Sequence, residues 1–316
     1  MSLAVGIEDF VQALVAGLLV GAVYGLMCVG LGLIFGVMRV VNFAQGDFLM
    51  LGMYFSLYTV GALSALAVFG PGAAPVAAAL LAGPVLFVGG WLLHRLLLRR
   101  VTGTRAIGGG HDAQLILTLG IALVLENGGL IAFGSTPQAV RTPLSWSAWH
   151  LPLVSAHFGE VFVNKARGIA CLVSVLVGAA LYWFISRARL GKALRAAADN
   201  PEAATYMGIA VDRAHGIAFG IGTGITAIAG GLVATFYPFQ PYVGFDFVII
   251  MYAGVVLGGM GSILGAFWGG MTIGLVQQLS TLALPLQLQN AAIFVVFLLI
   301  VQLRPQGLFG RNVERA

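Results

Sequence analysis

Long apolar stretches separated by short polar ones run through most of the chain and predict helices that span a membrane. A helix that rises 1.5 Å per residue needs roughly 20 apolar residues to cross a hydrocarbon core of about 30 Å. We expect one crossing in each of five stretches. They are residues 75–98, 113–134, 167–186, 214–236 and 288–303.

Two further regions are apolar but less regular. Residues 10–69 are enough for three crossings, or for two with a broken segment between them, and residues 246–283 hold a crossing at 262–283 and a short piece at 246–260. The expected fold is all-α. It is a polytopic integral membrane bundle of about nine or ten transmembrane segments, with at least one broken or short helix.

Composition agrees with this pattern, because 59% of the 316 residues are hydrophobic and 9% are charged, against about 25% charged in an average soluble domain. A soluble globular enzyme is thereby excluded. Nucleic-acid binding is not expected either, since it needs clustered basic residues on a solvated face. We expect residues 1–316 to form a single membrane domain embedded in a lipid bilayer.

The basic residues predict the orientation of the bundle. Twelve of the 16 lie in three segments, which by the positive-inside rule face the cytoplasm. They are Arg95, Arg99, Arg100, Arg105, Arg187, Arg189, Lys192, Arg195, Arg213, Arg304, Arg311 and Arg315. A cytoplasmic C-terminus requires an even number of crossings after Arg213, so residues 246–260 are expected to cross as a short helix. The side of the N-terminus stays open.

A polar cluster, NFAQGD at residues 42–47, interrupts the first apolar region. Polar groups inside a membrane are costly and mark functional sites by default. Asn42, Gln45 and Asp47 are typical of a discontinuous helix that lines a cavity. An ordinary turn at the cytoplasmic interface is the alternative.

Glu126 and Asn127 form a second polar site, in the middle of the 113–134 span. No Lys or Arg lies within that span, so the carboxyl group must face the bundle interior, find a partner or be protonated. These two residues either line a pathway or hold two helices together through hydrogen bonds.

The cytoplasmic loop at residues 189–209, RLGKALRAAADNPEAATYMGI, predicts two short helices outside the membrane. Lys192 to Ala198 is a good helix former, Asn200 precedes Pro201 at a first helical position, and Gly208 is placed to end the second helix. The second helix could dock in a groove of a partner. The alternative is a plain basic loop that only sets orientation.

Catalytic motifs do not emerge from the sequence. Neither GGMGS at 258–262 nor GIGTG at 220–224 matches a phosphate-binding loop, and the five histidines have no metal-ligand spacing. We expect no catalytic residue, no bound metal and no ATPase site in this chain.

Three segments together resemble the LivH-type permeases of bacterial branched-chain amino acid ABC transporters. The matching sequences are GLIFGVMRVVNFAQGDFLMLG (32–52), the loop at 189–213, and AGVVLGGMGSILGAFWGG (253–270) with the tail RPQGLFGR (304–311). The resemblance implies a permease of the bacterial inner membrane with three kinds of protein partner: a second, LivM-type permease in a heterodimer, two cytoplasmic ATPase subunits that hold ATP and Mg, and a periplasmic substrate-binding protein.

The resemblance also assigns roles to residues. The substrate pathway would involve Asn42, Gln45, Asp47, Glu126 and Asn127. Coupling to the ATPases would fall on the 189–209 region, with Arg189, Gly191, Arg195, Asp199, Pro201, Glu202, Ala203, Ala204, Met207 and Gly208.

Two departures from the family pattern bear on the substrate. The family commonly has a histidine where this chain has Gln45, and an amide where it has Glu126. Relatives that carry urea, short amides or aromatic carboxylates look similar, so branched-chain amino acids are the leading expectation. The alternative from another class is an ion-coupled secondary transporter, in which Glu126 or Asp47 would carry a coupling proton.

Overall fold

The computed structural model describes residues 6–65, 70, 72–101, 110–152, 160–285, 288–304 and 306–309. Three of the basic residues used for orientation, Arg105, Arg311 and Arg315, lie outside the described residues.

The described residues are mostly helical, with one short antiparallel hairpin. In chain order the elements are α1 (Ile7–Met38), α2 (Gln45–Ala65), α3 (Ala74–Leu96), the 3-10 helix η1 (Leu98–Arg100), α4 (Gly110–Phe133), α5 (Pro143–Trp146), β1 (Ala148–Pro152), β2 (Glu160–Asn164), α6 (Lys165–Arg187), α7 (Arg189–Asp199), α8 (Pro201–Tyr206), α9 (Val211–Val233), α10 (Val243–Gly258), α11 (Ile263–Ser280) and α12 (Gln289–Leu303).

Within the described residues, six helices are long and apolar enough to cross a membrane: α1, α2, α3, α4, α6 and α9. α10 and α12 are shorter apolar helices. The predicted polytopic helical bundle is therefore confirmed at this level. Each predicted crossing outside residues 10–69 coincides with one helix, and most of the predicted helix ends lie within a few residues of the observed ones.

The apolar region at residues 10–69 forms two long helices with a break between them. α1 runs through 32 residues and ends at Arg39, whose backbone is left-handed at φ 53°. The left-handed residue closes the helix, and its N–H donates to the carbonyl of Phe35. Of the two alternatives for this region, the structure has the two-helix arrangement with a broken segment.

We name the two ends of the bundle after the elements that lie there: the hairpin end, at β1 and β2, and the loop end, at α7 and α8. At the hairpin end, the side chain of Gln12 exchanges hydrogen bonds of 2.7 and 3.0 Å with the backbone of Phe162 in β2. At the loop end, Arg39 donates to the carbonyl of Ala198 in α7 at 3.3 Å. α1 therefore runs from the hairpin end to the loop end.

α9 runs in the opposite direction. Asp212 in its first turn pairs with Arg99 at the loop end, at 3.4 Å. The carbonyl of Ala234, just beyond its last residue, accepts from Val140, and Thr235 accepts from Ser145 of α5 at the hairpin end.

Two groups of helices, α1–α3 and α9–α11, pack in matching pairs. α1 packs chiefly on α11, and α9 packs chiefly on α3, while α1 and α9 also contact each other at the centre. α2 also contacts α10, and each of these is the second helix of its own group. Because α1 and α9 are antiparallel, the two groups are arranged as inverted repeats, a plan known from many transporters.

Glycines make the closest of these contacts possible. Gly17, Gly21 and Gly25 face α11, where an added Cβ would come within about 3 Å of backbone or side-chain atoms of Leu275, Met271 or Phe267. The four-residue spacing of these glycines predicts close helix approach, and the structure confirms it.

The segment at residues 135–166 connects the predicted crossings at 113–134 and 167–186, and the sequence predicts no regular element in it. The structure adds α5 and the β1–β2 hairpin, in which Trp149 pairs with Val163. Short strands of mixed polarity have no clear periodicity, so these strands could not be predicted from the pattern of residues. Trp146 is 79% exposed, and its place at a membrane interface stays a prediction.

Candidate functional site

The break between α1 and α2 lies against the middle of α9. Gln45, the first residue of α2, donates from its amide nitrogen to the carbonyl of Gly222 at 3.2 Å and to the hydroxyl of Thr226. Its amide oxygen accepts from Asn42 at 2.9 Å, and the Asn42 oxygen accepts from the N–H of Ala44. Asn42 and Gln45 are completely buried. The cluster is therefore part of a broken helix inside the bundle and does not form a surface turn.

α4 supports the same break from the other side. The hydroxyl of Thr118 lies 3.4 Å from the N–H of Phe43, which donates to it, and 3.5 Å from the carbonyl of Val41. These contacts occupy backbone groups that the break leaves without helical partners, as a buried non-helical segment requires.

The first turns of α2 and α10 meet at two glycines. A Cβ on Gly46 would overlap the carbonyl of Gly244, and a Cβ on Gly244 would lie 2.8 Å from the carbonyl carbon of Gly46. From this crossing α2 runs towards the hairpin end, where Tyr54 stacks on Phe133 at 4.0 Å between ring centroids. Two helix N-termini, each with partial positive charge, thus converge about halfway along the bundle.

Asp47 sits at this convergence. Its side chain is 5% exposed, and one carboxyl oxygen would lie 2.9 Å from a Cβ on Gly244. The N-terminal ends of two helices favour a negative charge at such a position.

Glu126 of α4 is half-buried and lies within electrostatic range of Asp47. The structure therefore brings together two acidic residues that are 79 positions apart in the sequence. Two carboxyl groups close to each other repel when both are ionised, so a cation between them would relieve the repulsion.

Asn127 does not join this group. It is exposed on the outer face of α4, and its side chain donates to the carbonyl of Leu123, one turn earlier, at 2.7 Å.

Asp246 is an acidic residue of the same region that the sequence reasoning missed. It is exposed in the first turn of α10, two residues after Gly244, on a face that also exposes Tyr242 and Phe245. A signal exists in the sequence, because GDF at 46–48 has a counterpart in GFDF at 244–247. The inverted arrangement of α2 and α10 gives that likeness its meaning.

The 189–209 loop forms α7 and α8, as the sequence predicts. Asn200 caps α8 by accepting from the N–H of Ala203 at 3.0 Å, Pro201 is the first helical residue, and Gly208 has a left-handed backbone at φ 82°. α7 begins at Arg189, three residues before the predicted start. The side chains of Tyr206 and Met207 are 88% and 82% exposed.

The other residues assigned to coupling fall into two groups. Gly191 and Ala204 are buried, and a Cβ on Gly191 would overlap backbone atoms of Ile185 at the α6–α7 turn. Arg195 is exposed and donates to the carbonyl of Ser186 at 3.2 Å. With Arg195, the exposed group also contains Arg189, Asp199, Pro201, Glu202, Ala203, Met207 and Gly208. Only exposed residues can contact a docked partner, so Gly191 and Ala204 hold the loop in shape.

Among the described residues, no group of three or more His, Cys, Asp or Glu side chains is arranged to hold a metal ion.

Comparison with known proteins places the chain in a family. Residues 13–303 match the model of the family described as "Branched-chain amino acid transport system / permease component". The chain belongs to this permease family.

Relatives within the permease family extend over nearly the whole chain. The high-affinity branched-chain amino acid transport system permease protein LivH of Escherichia coli (strain K12) is 30% identical over 97% of both chains. The permease protein BraD of a transport system with the same description, from Pseudomonas aeruginosa, is 29% identical over 98% of this chain and 99% of its own.

A more distant relative is the autoinducer 2 import system permease protein LsrC of Enterobacter sp. (strain 638), 30% identical over 52% of this chain and 49% of its own. No solved structure matches the chain.

Proposed function

We propose that this chain is the transmembrane permease subunit of an ATP-binding-cassette importer in the bacterial inner membrane, and that it carries branched-chain or related hydrophobic amino acids. The observation that carries the proposal is the likeness to LivH over 97% of both chains. α7 and α8 support the importer proposal. A secondary transporter has no ATPase subunit and so does not need a capped helical element on which an ATPase can dock.

The proposed topology has nine crossings: α1, α2, α3, α4, α6, α9, α10, α11 and α12. The loop end faces the cytoplasm, since it carries the basic residues of η1, α7 and the start of α9. The chain beyond α12 returns to this end, because the N–H of Leu308 donates to the carbonyl of Leu257 near the end of α10. The C-terminus is then cytoplasmic and the N-terminus periplasmic.

In this topology the proposed substrate pathway passes the exposed Asp246 and the half-buried Glu126, with Asp47 buried at the crossing of α2 and α10. An exposed carboxylate in the first turn of α10, about halfway through the membrane, is too costly to face lipid. The second permease subunit therefore covers the face that exposes Asp246, and a water-filled pathway runs between the two subunits. The three carboxylates attract the ammonium group of an amino acid, while exposed rings such as Phe245 contact its apolar side chain.

Asn42 and Gln45 have a different part in the mechanism. The amide groups of both residues are already hydrogen-bonded inside the protein. They therefore connect the start of α2 to α9 and do not bind the solute. They act on the pathway by moving Asp47 with α9. In the family a histidine is common at position 45, and glutamine keeps the hydrogen bonds without carrying a charge.

Copurification from native membranes tests the proposal. The tagged chain should bring down ATPase subunits, a second permease and, with substrate, a periplasmic binding protein. The double variant Glu202→Arg, Ala203→Asp should lose the ATPase subunits, because both side chains are exposed on α8. Glu8→Arg, an equally exposed acid at the hairpin end, is the matched control and should keep them.

A different result would favour the ion-coupled alternative. If the wild-type chain is isolated alone and still supports uptake that collapses with the proton gradient, the importer assignment is wrong. Uptake competition with leucine, urea, short amides and aromatic carboxylates then identifies the solute in either case.

A further inference from the structure

A large open cleft lies at the loop end, between α8 and the ends of α3 and α9. Its volume is about 1340 Å³. One wall is formed by the α7–α8 junction with Asp199 and Glu202, and the other by the last turns of α3 and the first turns of α9. The cleft therefore adjoins α8, the helix to which the proposed function assigns the ATPase contact.

Two histidines in this cleft each have one ring nitrogen without a hydrogen-bond partner. His94 of α3 is 3% exposed, His215 of α9 is partly buried, and the Nε2 atom of each is buried without a partner. The two rings are close enough to interact electrostatically. Buried polar atoms are nearly always paired in folded proteins, so two orphaned nitrogens beside one cleft indicate a group that comes from outside this chain.

The α8 wall of the cleft carries the acidic Asp199 and Glu202, so the charges on the opposite wall, formed by α3 and α9, define where an acidic group would lie. Arg99 is already paired with Asp212 at 3.4 Å, and the guanidinium of Arg95 lies over the ring of Trp91 at 5.3 Å. Arg213 of α9 lines the cleft, and no ion pair or hydrogen bond of its side chain is found among the described residues. A carboxylate near Arg95 and Arg213, next to a hydrogen-bonding group near the histidines, fits this wall.

The size of the cleft favours a protein segment over a small molecule. Pockets for small ligands usually measure about 300–1,000 Å³ and enclose most of the ligand. This cleft is larger and open, and one wall is the exposed α8 itself. A partner that docks on α8 necessarily reaches its mouth.

We infer that the cleft receives a segment of the ATPase subunit, so that the ATPase holds the ends of α3 and α9 directly as well as α8. The inference rests on the proposed function. It adds a second contact of defined chemistry: an acidic, hydrogen-bonding segment inserted between Arg213 and the two histidines.

The packing of α3 and α9 shows what this second contact would do. Thr223 of α9 donates to the carbonyl of Leu86 in α3 at 3.2 Å, and an added Cβ on Gly224 would come within 2.7 Å of the Gly83 carbonyl. The two helices are therefore joined by direct contacts, through which a force on one is transmitted to the other. α9 also binds Gln45 through Gly222 and Thr226. A displacement of the α9 end at the cleft would therefore be transmitted to the start of α2 directly, without involving α8.

Site-specific photo-crosslinking in the assembled transporter tests the inference. A photoreactive amino acid replaces Met207 on α8, Arg213 in the cleft, or Trp146 at the hairpin end, one at a time. We expect crosslinks to the ATPase subunit from positions 207 and 213 and none from position 146. A crosslink from 207 without one from 213 overturns the cleft contact and leaves the proposed function standing. No crosslink from either position overturns both.

A charge reversal provides a second readout. Arg213→Glu should lower ATP-driven uptake at least tenfold while the purified complex stays monodisperse, because the inserted carboxylate is then repelled. Arg100→Glu makes the same change at the same end of the bundle, on a residue that does not line the cleft. It should stay within twofold of wild type. Equal effects of the two variants contradict the inference.

Discussion

The crossing of α2 and α10 at Gly46 and Gly244 makes a sharp prediction about Gly46→Ala. The two first turns are so close that an alanine methyl group would overlap the Gly244 carbonyl and lie 2.6 Å from its carbon. No flexible side chain can give way there, because the neighbouring atoms are backbone. The starts of the two helices must separate.

The expected cost follows from overpacking. Inserting an extra methyl group into a tightly packed core costs about 1–3 kcal/mol, and a clash with backbone belongs at the upper part of that range. Alanine favours a helix over glycine by about 1 kcal/mol, which offsets part of the cost. We therefore expect Gly46→Ala to lower the free energy of unfolding by about 1–2 kcal/mol.

Gly120→Ala is the matched control. Gly120 is helical in α4, and nothing lies within 4 Å of the place where its Cβ would be. The same substitution should leave stability unchanged or raise it by up to about 1 kcal/mol. Unfolding of both variants in mixed micelles with increasing SDS gives the comparison. Equal stability of the two variants would refute the close crossing.

Three further predictions concern the cap, the break and the pathway. Asn200→Ala removes the cap of α8 and should destabilise that helix by about 1 kcal/mol. Less ATPase should copurify, and Asn200→Ser should restore the yield. Gln45→Leu removes the hydrogen bonds that Gln45 makes to the amide nitrogen of Asn42 and the hydroxyl of Thr226, and should cost about 1–3 kcal/mol for each group left unpaired; an unchanged unfolding curve would contradict the network. Asp246→Asn should lower uptake about tenfold without loss of stability, since a charged hydrogen bond is worth about 1.5–3 kcal/mol and the residue is exposed. Normal uptake would remove Asp246 from the pathway.

Much of the helical plan could be read from the sequence, because apolar length alone distinguishes a membrane span. The α7–α8 element was also predictable, since Asn200, Pro201 and Gly208 act locally on the chain that contains them. The spacing of Gly17, Gly21 and Gly25 indicated close helix contacts. It did not name the partner helix, which is set by tertiary packing.

The arrangement of the site could not be read in the same way. The approach of Asp47 to Glu126 depends on how α4 packs beside α2, and apolar periodicity in a membrane helix does not show which side faces inward. The sequence did not single out Asp246 as a pathway residue, because one acidic residue near the start of a helix is common and carries no functional signal by itself. Only the inverted packing of α9–α11 against α1–α3 makes it the counterpart of Asp47.

The most direct test of the account is uptake of labelled leucine into vesicles that contain the whole transporter and its binding protein. The account predicts that uptake needs ATP, continues when a protonophore removes the proton gradient, and stops in the Glu202→Arg, Ala203→Asp variant. Uptake that persists without ATP and collapses with the gradient would contradict it and assign the carboxylates at positions 47 and 126 to proton coupling.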